Sequence, residues 1–188
     1  MNSRRNFIKI SLAGAGAMAL NPLNLMASAG NAKLKKFGFI TGIAKDAMEA
    51  DWKATLKQAA EFGFSEVEGG SSYANSPQEF LSYCKEIGLN PIAGSVDFGA
   101  TNDELEKSFD QINELEQEYV IEYWPWYEGT PFKLEDCKKS ASRLNEVGAL
   151  AKKHGLKFLW HNHDNEFVEM EKGLPFDYLM ENTDPEVV

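Results

Sequence analysis

Three observations predict an α/β fold of the closed (β/α)8 TIM-barrel type. A unit of strand, helix, glycine stop and strand recurs, with strand starts every 25 to 40 residues. That is the rhythm of right-handed β-α units on a parallel sheet. No Gly-x-Gly-x-x-Gly follows the first strand, which disfavours an open dinucleotide-binding sheet. Polar residues gather at the C-terminal ends of the strands, at Thr41, Glu68, Ser95, Asp97, Glu122 and the pair His161 and His163. Barrels of this type build their sites there.

The elements follow in order. Short apolar runs predict strands over Phe37–Ile43, Glu66–Gly70, Pro91–Phe98, Tyr119–Trp124 and Lys157–His163. The helix between the first two, Asp51–Phe62, carries Trp52, Leu56, Ala59 and Ala60 on one face. The next, Ser76–Ile87, opens with an N-cap serine and a first-turn proline, and its stripe is Phe80, Cys84 and Ile87. Thr101–Glu116 opens Thr-Asn-Asp-Glu and carries Leu105, Phe109 and Ile112; its acidic start, Asp103, Glu104 and Glu106, suits the helix dipole. Leu134–His154 carries Cys137, Ala141, Leu144, Val147 and Ala151, and a short helix spans Pro175–Glu181. Gly63, Gly88 and Gly155 each stand at a helix end before an apolar residue and a strand, where the left-handed conformation of glycine closes a helix.

Residues 1–29 are set apart by composition. Ser3-Arg4-Arg5-Asn6-Phe7-Ile8-Lys9, a mild Ala/Gly-rich apolar stretch and Ala27-Ser28-Ala29 predict a twin-arginine export signal, cleaved before Gly30, and a periplasmic protein. The apolar stretch is broken by Asn21-Pro22 and falls short of the roughly 20 strongly apolar residues of a membrane span. Removing its three basic residues takes the formal net charge from −10 to −13 over residues 30–188. That acidity argues against nucleic acid and anionic membrane partners. Cys84 and Cys137 fall on apolar helical positions and read as buried small hydrophobes, although export leaves a disulfide open.

Residues 30–188 contain no linker or composition break and read as one domain. A whole barrel takes roughly 250 residues and eight units. Five strands are present, and Thr183-Asp184-Pro185-Glu186-Val187-Val188 has the look of a sixth strand beginning. The expectation is a barrel cut after about five β/α units, with an open parallel edge.

The most informative stretch is Lys157-Phe158-Leu159-Trp160-His161-Asn162-His163-Asp164-Asn165-Glu166-Phe167. On a strand, His161 and His163 leave the same face with Cα atoms roughly 6.5 Å apart, close enough to converge on one metal ion or substrate. With Gly155-Leu156 before it, this stretch resembles the fifth-strand motif Gly-Leu-x-(apolar)-x-Tyr-His-Asn-His-x-x-Glu-Phe of the xylose-isomerase-like TIM-barrel superfamily, whose exported members are called sugar phosphate isomerase/epimerase proteins. Phe64-Ser65-Glu66-Val67-Glu68, Ser76-Pro77-Gln78-Glu79-Phe80, Gly88-Leu89 leading to Ser95-Val96-Asp97-Phe98, and Thr183-Asp184-Pro185-Glu186 are similar to that family too. The resemblance spans residues 30–188 but only the first five-eighths of the fold.

The resemblance implies a divalent-metal site (Mn, Mg, Zn or Co) at the barrel mouth and a sugar or keto-sugar as the partner. The implied reaction is proton transfer beside a sugar carbonyl, with elimination or hydrolysis of oxidised sugars as alternatives. A non-catalytic carbohydrate-binding barrel is a further reading. The family histidine at the end of strand three is here Ser95, a departure at a substrate position.

His161 and His163 are the candidate metal ligands; the alternative is a strand-end imidazole pair satisfied by backbone carbonyls and a carboxylate. Glu68 and Glu166 are the candidate proton-transfer groups, against an internal ion pair for Glu68 and a solvated loop carboxylate for Glu166. Glu122 and Ser95 are candidate substrate contacts. So is Trp124, which with Trp126 and Tyr127 flanks Pro125 and offers aromatic faces to sugar C–H surfaces; packing of the loop over the barrel is the alternative. His154 reads as a helix-end cation or an exposed side chain. Asn162 is expected to point to the helical layer. The three letters His-Asn-His also occur in a nuclease signature, which the strong acidity and the missing ββα context exclude.

Overall fold

A computed structural model describes residues 36–126, 128–186 and 188. The export signal expected over residues 1–29 lies outside the described residues. Five strands form one parallel sheet in the order β1-β2-β3-β4-β5: β1 Gly38–Ile40, β2 Glu66–Glu68, β3 Asn90–Ser95, β4 Tyr119–Glu122 and β5 Lys157–Trp160. Each strand pairs with its neighbour in sequence. Helices follow them as α1 Lys45–Glu61, α2 Pro77–Glu86, α3 Asn102–Glu114, α4 Leu134–Lys153 and α5 Pro175–Asn182. This is the alternating α/β architecture expected from the repeat.

The helix ends form as their residues dictate. The Ser76 side chain accepts the Glu79 N–H at the start of α2, and Thr101 and Glu104 form a reciprocal capping box on α3. Gly63, Gly88 and Gly155 adopt φ of +96°, +78° and +77°, the left-handed stop that lets the chain turn from helix into strand.

The strands are shorter than their apolar runs. After Ile40 the chain tightens into a 3-10 turn over Thr41–Ala44, and Gly69 and Gly70 take positive φ immediately after β2. The ends of the β4 and β5 runs leave the ladder in the same way, so His163 lies in a loop and not on a strand. Conversely α1 is longer than its periodic stripe. Asp51 is extended within it (φ −160°, ψ 94°) and accepts the Ala54 N–H at 3.0 Å, so the stripe begins at this internal cap. The turns before it bury Met48. Residues 183–186 form a helix-end turn, with Asp184 accepting the Glu186 N–H at 2.9 Å, in place of an incipient sixth strand.

The core lies between sheet and helices. One cluster joins Val67 to Met48, Leu56, Phe80 and Cys84 of α1 and α2; a second joins Val120 and Phe158 to Leu105, Phe109, Leu144 and Val147 of α3 and α4. Cys137 packs in a third with Phe132 and Met170. Both cysteines are free and buried, as read from their positions, and burial pushes their thiols up to about 12 for Cys84 and about 11 for Cys137. Among the described residues no helix is long and apolar enough to cross a membrane.

Candidate active site

Strand alternation separates the two faces of the sheet. Val67, Val120 and Phe158 bury into the helix-side core, so Glu66 and Glu68, Tyr119 and Ile121, and Leu159 point to the other face. On β3 the missing Cβ of Gly94 faces the helices, 2.7 Å from Gln117 Oε1 and 2.9 Å from Ile112 Cγ1, which leaves Ala93 and Ser95 on the inner face. The carboxylate pair of β2 therefore points inward, as the alternation of Glu66-Val67-Glu68 predicts. Glu66 receives Lys36 at 3.3 Å near the N-terminal end of the sheet, while Glu68 stands at the C-terminal end.

Glu68 has a partner that the sequence reading did not single out. The Tyr123 hydroxyl donates to the Glu68 carboxylate from a position 55 residues away, reaching across from the β4 end. Burial, with Glu68 as acceptor, pushes the Tyr123 phenol up, so it stays a hydrogen-bond donor. The signal for Tyr123 was available: it continues the inward parity of Tyr119 and Ile121.

The Tyr123 ring opens a row of four. It lies 5.0 Å from the His161 ring, which lies 5.0 Å from His163, and His163 stacks on Trp124 at 3.8 Å and 9°. The two histidine rings thus come together, although His163 has left the strand and is placed by its loop. The bond from His161 N–H to the Glu122 carbonyl, 2.8 Å, carries the β4–β5 pairing one residue beyond the strand. Ile121, Leu159, Trp160, His161 and Asn162 line a cavity at β5. Asn162 and Asp164 are exposed.

The remaining candidates separate. Ser95 is exposed at the inner end of β3. Glu122 shares the parity of Val120 and is 3% exposed; it accepts the Trp124 N–H at 2.7 Å through Oε1. Burial raises its carboxyl to about 7, against the lowering effect of the Trp124 and Tyr123 N–H groups. Glu166 is fully buried on the turn after β5, not a solvated loop carboxylate, and accepts the His163 N–H at 2.7 Å. Trp124 is 52% exposed; Trp126, also exposed on one side, packs on Phe98 with ring centres 4.8 Å apart. Tyr127 lies outside the described residues. His154 caps α4 half-buried, 3.6 Å from Asp110.

The imidazoles suit a divalent ion, and His163 Nδ1 is buried without a partner among the described residues. Two imidazoles do not complete a metal site, however, and among the described residues no three His, Cys, Asp or Glu side chains come together as one. What the arrangement offers by itself is a carboxylate held by a phenol, beside an imidazole pair and an indole, at the end of a parallel sheet where such folds place their chemistry.

No protein-family model matches the chain. It is 28% identical over 160 residues to the inosose dehydratase of Salmonella agona, an alignment covering 74% of this chain and 52% of that protein. The chain spans about half the length of the curated relatives it matches. A sugar phosphate isomerase/epimerase from Parabacteroides distasonis superposes with a TM-score of 0.70 at 20% identity, over 84% of this chain and 65% of that one. A xylose isomerase-like TIM barrel protein from Mycobacterium smegmatis, solved in complex with magnesium, gives 0.55 at 13% identity, over 74% and 55%. Five consecutive β-α units and these likenesses agree on the fold: the chain folds as the xylose-isomerase-like TIM barrels do, over the strands described.

Proposed function

We propose that this chain carries part of the site of an exported enzyme that moves a proton beside the carbonyl of a sugar or keto-sugar, as an isomerase or epimerase. The observation that carries the reading is Glu68 at the mouth of the sheet, bonded by Tyr123 beside His161. A carboxylate is the group that takes a proton from carbon next to a carbonyl, and returning it to the neighbouring carbon or the other face completes isomerisation or epimerisation. The Tyr123 hydroxyl fixes one side of the carboxylate and leaves the rest for substrate. The half-exposed Trp124 offers an apolar face to sugar C–H groups.

The divalent metal implied by the family belongs to this reading as a ligand of His161 and His163 together with donors beyond those described. When bound, such an ion polarises a carbonyl or hydroxyl oxygen; the proton transfer itself rests on Glu68. The Arg4-Arg5 export pattern supports a periplasmic location, which fractionation of cells expressing the protein checks.

The test is solvent exchange. Keto-sugars and inososes are incubated with the protein in deuterated water and followed by NMR. Deuterium entering at the carbon beside the carbonyl, abolished in Glu68→Gln, supports the reading. Exchange with none of them, or unchanged exchange in Glu68→Gln, overturns it. The 28%-identical inosose dehydratase favours a second outcome, elimination after the same proton abstraction, seen as loss of water from the product. Sugar binding without exchange marks a non-catalytic carbohydrate-binding barrel.

A further inference from the structure

Two buried carboxylates stand behind the row of rings. Glu122, 3% exposed, accepts the Trp124 N–H at 2.7 Å through Oε1, and its Oε2 is buried with no partner among the described residues. Glu166, fully buried, accepts the His163 N–H at 2.7 Å through Oε2, and its Oε1 is likewise buried with no partner among the described residues. The two amides held in this way belong to the two residues whose rings stack at 3.8 Å and 9°. Neither Trp124 nor His163 lies in a helix or strand, so no ladder places these amides.

We infer that Glu122 and Glu166 are a matched pair of positioning residues, which hold Trp124 and His163 through their backbone amides so that indole and imidazole stack as one wall of the site. The reading of that wall as part of a reacting site rests on the function proposed above; the clamp itself rests on the geometry. A carboxyl group is suited to the task because one oxygen accepts the backbone N–H whether or not the other carries a proton. The backbone of Glu122 adds a second anchor, since its carbonyl receives the His161 N–H at 2.8 Å. One residue thereby ties the loop carrying Trp124 to the end of β5. Trp124 remains 52% exposed, so the stack orients the indole without hiding it from a ligand. The assignment gives Glu166 a role through His163, distinct from direct proton transfer.

NMR of the unmodified chain and of six variants tests the clamp without reference to activity. The chain has three histidines, so the imidazole C–H signals are few. Those of His163 are expected upfield, under the ring current of Trp124, and Trp124→Leu identifies them by abolishing the shift. Glu122→Ala and Glu166→Ala are each expected to lose that upfield shift, and Glu122→Gln and Glu166→Gln, which keep an acceptor oxygen, to restore it. The double alanine variant is expected to show no larger loss than either single one, because both act on one stack. Persistence of the shift in both single alanine variants overturns the inference. If the alanine variants do not fold, amide exchange in the unmodified chain decides. Trp124 and His163 amides are expected to exchange on the order of 100-fold more slowly than those of exposed Asn162 and Asp164, and equal rates overturn the clamp. Loss of the clamp and failure of the solvent-exchange assay are separate results, since the ring-current shift needs no substrate.

Discussion

Replacing Glu122 by glutamine should change how stability depends on pH. The Glu122 carboxyl is raised from its ordinary 4.5 to about 7, chiefly because burial penalises its charge. A proton on Oε2, the oxygen without a partner, leaves Oε1 free to accept the Trp124 N–H. Between these two pH values the folded chain binds a proton that the unfolded chain has released, so stability falls as pH rises through the window. It is highest below about 4.5 and the penalty is complete above about 7. A shift of this size at ~1.4 kcal/mol per unit is worth about 3 kcal/mol. Glutamine keeps the acceptor and cannot ionise. Urea unfolding of both proteins across this range, followed by circular dichroism, should show their stability difference changing by about 3 kcal/mol in favour of Glu122→Gln as pH rises. Parallel pH curves would refute the reasoning.

Three further predictions concern other parts of the chain. Gly94→Ala places a Cβ 2.7 Å from Gln117 Oε1 and 2.9 Å from Ile112 Cγ1, and should cost about 1–3 kcal/mol in urea unfolding; an unchanged midpoint would mean that α3 yields freely. Ser76→Ala removes the acceptor of the Glu79 N–H and should cost about 1 kcal/mol, whereas Ser76→Asp should restore most of it. Tyr123→Phe removes the hydroxyl from Glu68 and should lower stability by about 2 kcal/mol as well as slow solvent exchange into a keto-sugar; exchange at the original rate would show that Glu68 needs no such partner.

The fold was legible because its signals are local. Ser76, Thr101 and the glycines at 63, 88 and 155 act on residues within one turn of themselves, and each does in the structure what its chemistry implies. The inward direction of Glu68 followed from alternation around Val67, which is fully buried. Strand ends were less legible, because an apolar run continues past the point where the ladder stops, as at Thr41 and Trp124. The site was legible in part. His161 and His163 come together, but the loop that carries His163 is set by Glu166, whose burial depends on tertiary packing. Glu122 reads as a mouth carboxylate by its place at a strand end, yet its parity with Val120 turns it away from Glu68. The inward direction of Tyr123 is legible from its parity with Tyr119 and Ile121, but its pairing with Glu68, 55 residues away, is not.

That distance has a consequence for assembly. Every pairing in the sheet joins neighbours in sequence, so β-α units can add one after another, each step closing a single strand–helix–strand connection. The Tyr123–Glu68 bond is different: it passes over β3, where the inward residues are as small as Ala93 and Ser95, and joins β2 to the end of β4. It forms only after three strands are in register. The geometry of Glu68 is therefore a late product of folding, and the mouth of the sheet becomes competent as a unit rather than strand by strand.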